Sequence, residues 1–493
     1  MKKENEKFCS EILLSCTAQK TAELEFALSK DGLPVPIYQK KALHSRYFPL
    51  KESDKYDSKP NCAIIAVGAG GLYHLTSVAK QSPVIAISVC YELTLQILEK
   101  ISLDELFPNG NLKIITTEEL LKEFPFFTCS SYRIILHPVL SVLFAEETNK
   151  IVRWIQNVFN PQFTNIKTMR TFGKKWLKNA LFNLSNKQSF CTEPLHIENK
   201  AIAVCGAGPS LESSIPLLHK KREKLHIAAA DTAFPILVKN KIIPDSVFSM
   251  DTSPYSTYHF VGISCESTRF FKDYTSSLKA ENSKVSLLFS DFPLLPLCRF
   301  SLDSLPRLDT SSGNIGTSII LFFNKYFAEL PVICTGIDFG FDKKVSYSKG
   351  NYQEIYRLHH SSYFSSSEQY DAKLYYRQNL EHSGSWSKNS QNSYYASQLP
   401  SLNCKTLSSS PFTVWEKINN DAEFDDYIKT AEGKSKSCSF SIPDFKNPID
   451  YLLNLPENTL LKILTPYFLS ENKLPNLKDA QSFLKTLKKG NLK

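Results

Sequence analysis

Along the first part of the chain apolar residues fall in short unbroken runs: NCAIIAV at 61–67, PVIAISV at 83–89, then LKIITT and YRIILH. Runs of this length, closed by turns and separated by helical patterns, predict parallel strands covered on both faces. From about 147 to 186 the period lengthens to that of a long helix, carrying Trp154, Phe172, Trp176, Leu177 and Leu181. Alternation returns over 187–365, with strands predicted at AIAVC (201), LHIAAA (225), DSVFSM (245), VSLLFS (285) and PVICTG (331). Beyond 365 the segments YFSSSEQYD, SGSWSKNSQNSYYAS and TLSSSP predict surface loops or a flap, followed by helices near 413–432 and 457–488. No unit recurs at a fixed period, which excludes a solenoid.

These patterns predict a multidomain α/β protein. An N-terminal α/β domain occupies 1–150 and a helical connector 151–186. A central Rossmann-like parallel sheet follows at 187–365, then a loop-rich and mostly helical C-terminal region at 366–493. With 493 residues the chain is past the size at which one core stops growing, so several domains are expected.

The formal net charge of +9 is spread along the chain, densest in LKTLKKGNLK, and over this length it describes a solvated surface. No nucleic-acid partner is expected, while an anionic substrate is favoured. Twelve cysteines, among them Cys9, Cys16, Cys265 and Cys298, never form a C-x-x-C pair and several sit in apolar runs, the usage of reduced cytosolic thiols. MKKENEKFCSEILL carries charge where a signal peptide needs an apolar stretch, and the apolar segment 126–144 is broken by Arg133 and His137. A cytoplasmic protein without membrane insertion is expected.

The chemistry concentrates in GAGPSL, where a predicted strand ends in Gly206-Ala207-Gly208 and Pro209 opens a helix. Glycine permits positive φ and close approach, and proline fits a first helical turn. Exposed N–H groups from Ser210 onward would then face an anion such as phosphate. A Rossmann fingerprint would have glycine where Leu211 stands, and there is no P-loop lysine, so a purely structural strand-to-helix corner remains the alternative. Asp231 and Asp251 end the next two strands, at the edge where open parallel sheets bind ligands. Either acid suits a ribose, a base or a metal; the plainer reading is a turn cap. TSSGNIGTSII offers Thr310, Ser311, Ser312 and Gly313 before another helix, and Asp338 marks a further strand end. Together these strand ends predict a nucleotide pocket. In the first domain GAGGLYHL suggests a second cofactor turn, with Ser88 and Glu92 near the following strand end, read as structural or acceptor-binding.

GAGPSLESSIPLL, ADTAFPILVKNKIIPDSVFSMD, SSGNIGTS and TGIDFGF occur in the order of the motility accessory factor family, which the chain resembles over roughly 40–365. ALHSRYFPLKES, AVGAGGLYHL and FGKKWLKNALFNL extend the resemblance upstream. The central domain of that family is similar to a pterin diphosphokinase domain and to bacterial sialyltransferases. The resemblance implies transfer of a nonulosonic acid from a CMP-activated sugar to serine or threonine of flagellin. It implies that Gly206, Gly208, Pro209 and Ser210 hold phosphate and ribose, that Asp231 and Asp251 line the nucleotide, and that Ser311, Ser312 and Gly313 close the other side. Tyr347 stands near one sialyltransferase tyrosine, Gly340 or Phe341 replaces another, and the histidine position falls near Ser366, leaving His360 or His359 as substitutes for the base. No cofactor is required beyond the CMP-sugar, with magnesium an option and no metal ligands assigned. The alternatives are an ATP-dependent hydroxymethylpterin diphosphokinase and a non-enzymatic flagellin chaperone.

Overall fold

The computed structural model describes residues 24–57, 62–115, 131–186, 190–263, 266–278, 284–290, 306–366, 380–397, 402–440, 448–471 and 476–488, with Thr117, Glu119, Leu120, Phe124, Cys129, Gln369, Tyr375, Tyr376 and Lys473 between them. Cys9, Cys16, Cys265 and Cys298 lie outside the described residues. The chain divides into two compact units, Met1–Thr171 with Leu469–Leu474, and Phe172–Phe468 with Pro475–Lys493.

The first unit holds a parallel sheet of β1 (Cys62–Val67), β2 (Val84–Ile87), β3 (Leu112–Ile115) and β4 (Ser131–Leu136), in the order β3-β2-β1-β4. Every residue of β1 and β2 is buried, as runs covered on both faces require. Helix α1 (Tyr91–Leu98) follows β2, and a small antiparallel sheet of Leu24–Leu28, Pro34–Tyr38 and Lys41–Ala42 precedes β1. Helix α2, Ala145–Ser185, carries the chain from one unit into the other.

The second unit is built on eight parallel strands: β5 (Ala201–Cys205), β6 (Leu225–Ala230), β7 (Ser246–Ser249), β8 (Arg269–Asp273), β9 (Lys284–Leu288), β10 (Val332–Thr335), β11 (Lys405–Thr406) and β12 (Glu416–Lys417). Their order is β9-β8-β7-β6-β5-β10-β11-β12. The first strand therefore lies inside the sheet, between β6 and β10, and the order reverses there. Helix α3 (Ser210–Lys220) follows β5 and α4 (Phe234–Lys239) follows β6. Helix α5 (Ile315–Tyr326) packs on β5, β6, β7 and β10, burying Ile319, Ile320, Phe322 and Phe323. Asn314 caps it, its Oδ1 accepting the Thr317 N–H at 3.2 Å. After β10 come α6 (Tyr352–His359), α7 (Asp421–Lys429), α8 (Glu457–Ser470) and α9 (Leu477–Lys488).

The structure adds elements that the apolar pattern does not reveal. Strand β8 reads RFFKD, and its charged residues hide it, yet Arg269 and Lys272 are both buried. Arg269 donates to the Ser286 hydroxyl and the Glu193 carbonyl, and Lys272 to Asn183 Oδ1 and the Leu278 carbonyl, so each charge enters the core with its donors engaged. Strands β11 and β12, two residues each, extend the sheet beyond β10; β11 lies in the segment read from sequence as loops and β12 at the start of the one read as a helix near 413–432. Among the described residues no helix is long and apolar enough to cross a membrane.

Candidate functional site

Because all eight strands are parallel, the segments after β5, β6, β7 and β10 leave the sheet along one edge. Sheets of this kind bind ligands at the reversal of strand order, between β5 and β10. Here the two turns at that point are joined backbone to backbone. Gly206 N–H donates to the Thr335 carbonyl and Gly208 N–H to the Gly336 carbonyl, both at 2.8 Å. A Cβ on Gly206 would lie 2.3 Å from the Gly336 oxygen, and one on Gly208 would lie 2.4 Å from Asp338 Oδ2. The left-handed residue is Gly336, at φ +67°, whereas Gly206 and Gly208 do not have positive φ. The glycines of GAGPSL thus make room for the neighbouring turn; the space beside Gly208, expected to hold phosphate, holds the Asp338 carboxylate.

Pro209 precedes the first residue of α3, whose N-terminus carries an internal anion. Asp338 Oδ2 accepts the Ser210 N–H at 2.9 Å, and Oδ1 accepts the Ser210 and Ser408 hydroxyls, both at 2.5 Å. Ser210 Oγ in turn accepts the Gly336 N–H at 2.9 Å, and Ser348 Oγ donates to the Gly208 carbonyl at 2.6 Å. Desolvation pushes the Asp338 carboxyl above its ordinary range, against the downward pull of these hydrogen bonds. Ser210 and Asp338 are parts of a closed, buried cap.

Asp231, Asp251 and Tyr347 are brought together. Asp231 is 5% exposed; its Oδ1 accepts the Thr232 N–H at 2.8 Å and its Oδ2 the Ser249 hydroxyl at 2.7 Å. Desolvation pushes its carboxyl up to about 6, with the Asp251 charge adding to the rise. Asp251 itself is exposed and accepts the Ser253 N–H at 2.8 Å. Tyr347 is 36% exposed; partial desolvation, then the Asp231 charge, holds its phenol above its ordinary value, while Arg357 pulls it down. Tyr347 therefore stays a proton donor at neutral pH, within the field of one carboxylate and one guanidinium.

His360 is exposed, stacked on Tyr356 at 4.0 Å, with Nδ1 2.8 Å from the Tyr356 carbonyl at the end of α6. A histidine in the field of Asp251 is His259, which the sequence reading missed. It is buried, its Nδ1 has no hydrogen-bond partner, and its ring packs edge-on against Tyr352 at 5.6 Å. Desolvation lowers its pKa while Asp251 raises it. Its sequence signal was its place eight residues after the strand-end acid, in SPYSTYHF.

On the other side, Ser311 and Gly313 are exposed ahead of α5, and Ser312 is buried. Gly313 has φ +67°, and a Cβ there would lie 2.8 Å from the Tyr395 ring. One turn into α5 the buried Thr317 hydroxyl has no partner.

The raised carboxyl of Asp231 makes a stability prediction. A folded-state pKa of about 6 against the ordinary 3.8 means that ionising Asp231 opposes folding: the penalty is absent below about pH 4 and complete above about pH 6. Asp231→Asn keeps an acceptor for Thr232 and removes the charge. It should stabilise the protein at pH 7.5 by up to about 3 kcal/mol, with the gain fading towards pH 4. Urea unfolding across this range measures it, and a gain independent of pH would refute the assignment.

Residues 174–344, within the second unit, match the family model described as 6-hydroxymethylpterin diphosphokinase MptE-like. Two uncharacterized proteins of Treponema pallidum (strain Nichols) are similar to the chain. One is 32% identical over 151 residues, covering 30% of this chain and 64% of the relative. The other is 21% identical over 233 residues, covering 44% and 39%. The chain thus spans less than two thirds of the length of these relatives. Among solved structures, the MAf glycosyltransferase from Magnetospirillum magneticum AMB-1 aligns with a TM-score of 0.48 and 12% identity, over 96% of this chain and 86% of that one. The family match agrees with the resemblance of the central domain to a pterin diphosphokinase domain: residues 174–344 are similar to that family.

Proposed function

We propose that this protein is a glycosyltransferase that moves a nonulosonic acid from a CMP-sugar to serine or threonine of flagellin in the cytoplasm, as the motility accessory factor resemblance implies. The observation that carries the reading is that Asp231 and Asp251, at the carboxyl ends of β6 and β7, lie in one another's field, and that Tyr347 shares the field of Asp231 with Arg357. Breaking the donor bond leaves charge on the phosphate, which a protonated phenol and a guanidinium suit. Tyr347 gives its proton to the departing phosphate and Arg357 balances the charge. Asp251, exposed beside the pocket, recognises nucleotide hydroxyl or amino groups. Since the N-terminus of α3 is filled by Asp338, the donor phosphate goes to the exposed Ser311–Gly313 turn ahead of α5. His259, uncharged at neutral pH, is the base for the acceptor hydroxyl in place of His360.

The MptE-like match favours one other reading, a diphosphokinase using ATP and magnesium, with Asp251 as the accessible carboxylate. Calorimetry separates the two: CMP should bind without metal and more tightly than ATP. Tighter binding of ATP that requires magnesium would establish the kinase reading instead. Intact-mass analysis of flagellin coexpressed with this protein and a nonulosonic-acid pathway should show added sugar, lost in Tyr347→Phe.

A further inference from the structure

In the first unit three histidines that are far apart in sequence meet at the carboxyl end of the parallel sheet. His137 directly follows β4, His74 lies after the glycine turn that leaves β1, and His44 comes from the segment before β1. All three are buried, and one nitrogen from each lies within 4.8 Å of the others. His44 Nε2 and His137 Nε2 are 3.4 Å apart, the separation of two nitrogens on a tetrahedral zinc with Zn–N of about 2.0–2.1 Å.

Two further features suit a metal. Both ring nitrogens of His74 are buried without a hydrogen-bond partner, which protein groups rarely tolerate. Glu52 accepts from His44 Nδ1 at 2.6 Å, which aims the other nitrogen, Nε2, at the cluster; this is the carboxylate–histidine arrangement that orients metal ligands.

We propose that His44, His74 and His137 bind a zinc-type divalent transition-metal ion in the first unit. His74, restrained by no hydrogen bond, turns in to close the longest gap. Gly71 N–H, which shares the His44 Nε2 lone pair at 2.8 Å, gives it up to the ion. The N–H groups of Val139 and Leu140 donate to His137 Nδ1, so His137 Nε2 holds the ring proton. The ion replaces that proton, which leaves to solvent, so His137 ligates as an imidazolate whose Nδ1 lone pair the two amides stabilise. Three imidazoles and no thiolate select zinc, cobalt, nickel or copper over magnesium or calcium.

The test uses the full chain, stripped with a chelator and titrated with zinc alone against a competing chromophoric chelator. One equivalent should bind, and cobalt should give the visible absorption of a four- or five-coordinate site. His74→Phe keeps a ring in the same space without nitrogens; it should fold like the parent and lose affinity by at least about 100-fold, and Glu52→Gln should lose about 10- to 100-fold. Absence of stoichiometric zinc or cobalt in the parent, or unchanged affinity in a folded His74→Phe, overturns the proposal.

Discussion

Gly336→Val should cost the second unit at least about 4 kcal/mol, enough to unfold it at moderate temperature. Gly336 has φ +67°, where a β-branched residue is strained, and its Cβ would stand 2.1 Å from the Gly206 carbonyl oxygen. That oxygen belongs to backbone already bound to β10, so relief means parting the two turns. The Gly206-to-Thr335 and Gly208-to-Gly336 hydrogen bonds would break with them. The same reasoning changes what Gly208→Val tests. From sequence that variant fills the place of a phosphate in an intact fold; in the structure its Cβ meets Asp338 and the Gly336 oxygen, so lost nucleotide binding would report a displaced turn. Urea unfolding followed by circular dichroism measures both variants, and an unchanged midpoint for Gly336→Val would refute this account of the joined turns.

The strands legible in the sequence are those whose apolar runs are unbroken. AIAVC, LHIAAA and PVICTG lie side by side in the middle of the sheet, where burial on both faces leaves His226 and Thr335 as single polar interruptions too few to confuse the pattern. RFFKD was hidden because its charges are satisfied by partners as distant as Asn183 and Glu193, which no local pattern encodes. The site shows the same division. That Asp231 and Asp251 share an edge with Gly206 follows from strand direction alone, and strand ends are readable. That Asp338 reaches the α3 N-terminus depends on β10 lying beside β5, 127 residues away in sequence from Cys205 to Val332, and strand order is a tertiary fact. The meeting of His44, His74 and His137 was invisible for the same reason. A histidine has meaning only through its neighbours, and these neighbours are supplied by separate segments.

Asp338 offers the sharpest separation between a structural acid and a ligand-binding one. Asp338→Ala removes the acceptor of the Ser210 N–H and of the Ser210 and Ser408 hydroxyls, all buried. A buried donor left unmet costs about 1–3 kcal/mol, and hydroxyls can rotate to recover part of it, so a loss of about 3 kcal/mol is expected. Asp338→Asn retains one acceptor but turns an N–H₂ towards donors, and should fall between the two. If Asp338 instead served the nucleotide, Ala would keep the parent's stability and lose only binding. The substitution has a second consequence, because a helix N-terminus without its internal carboxylate is an anion site. Phosphate or sulfate should therefore raise the melting temperature of Asp338→Ala more than that of the parent, as binding to the folded state alone must. Equal shifts in both proteins would mean that the carboxylate does not occupy the anion position of α3, and the phosphate cradle read from GAGPSL would stand as the sequence suggests.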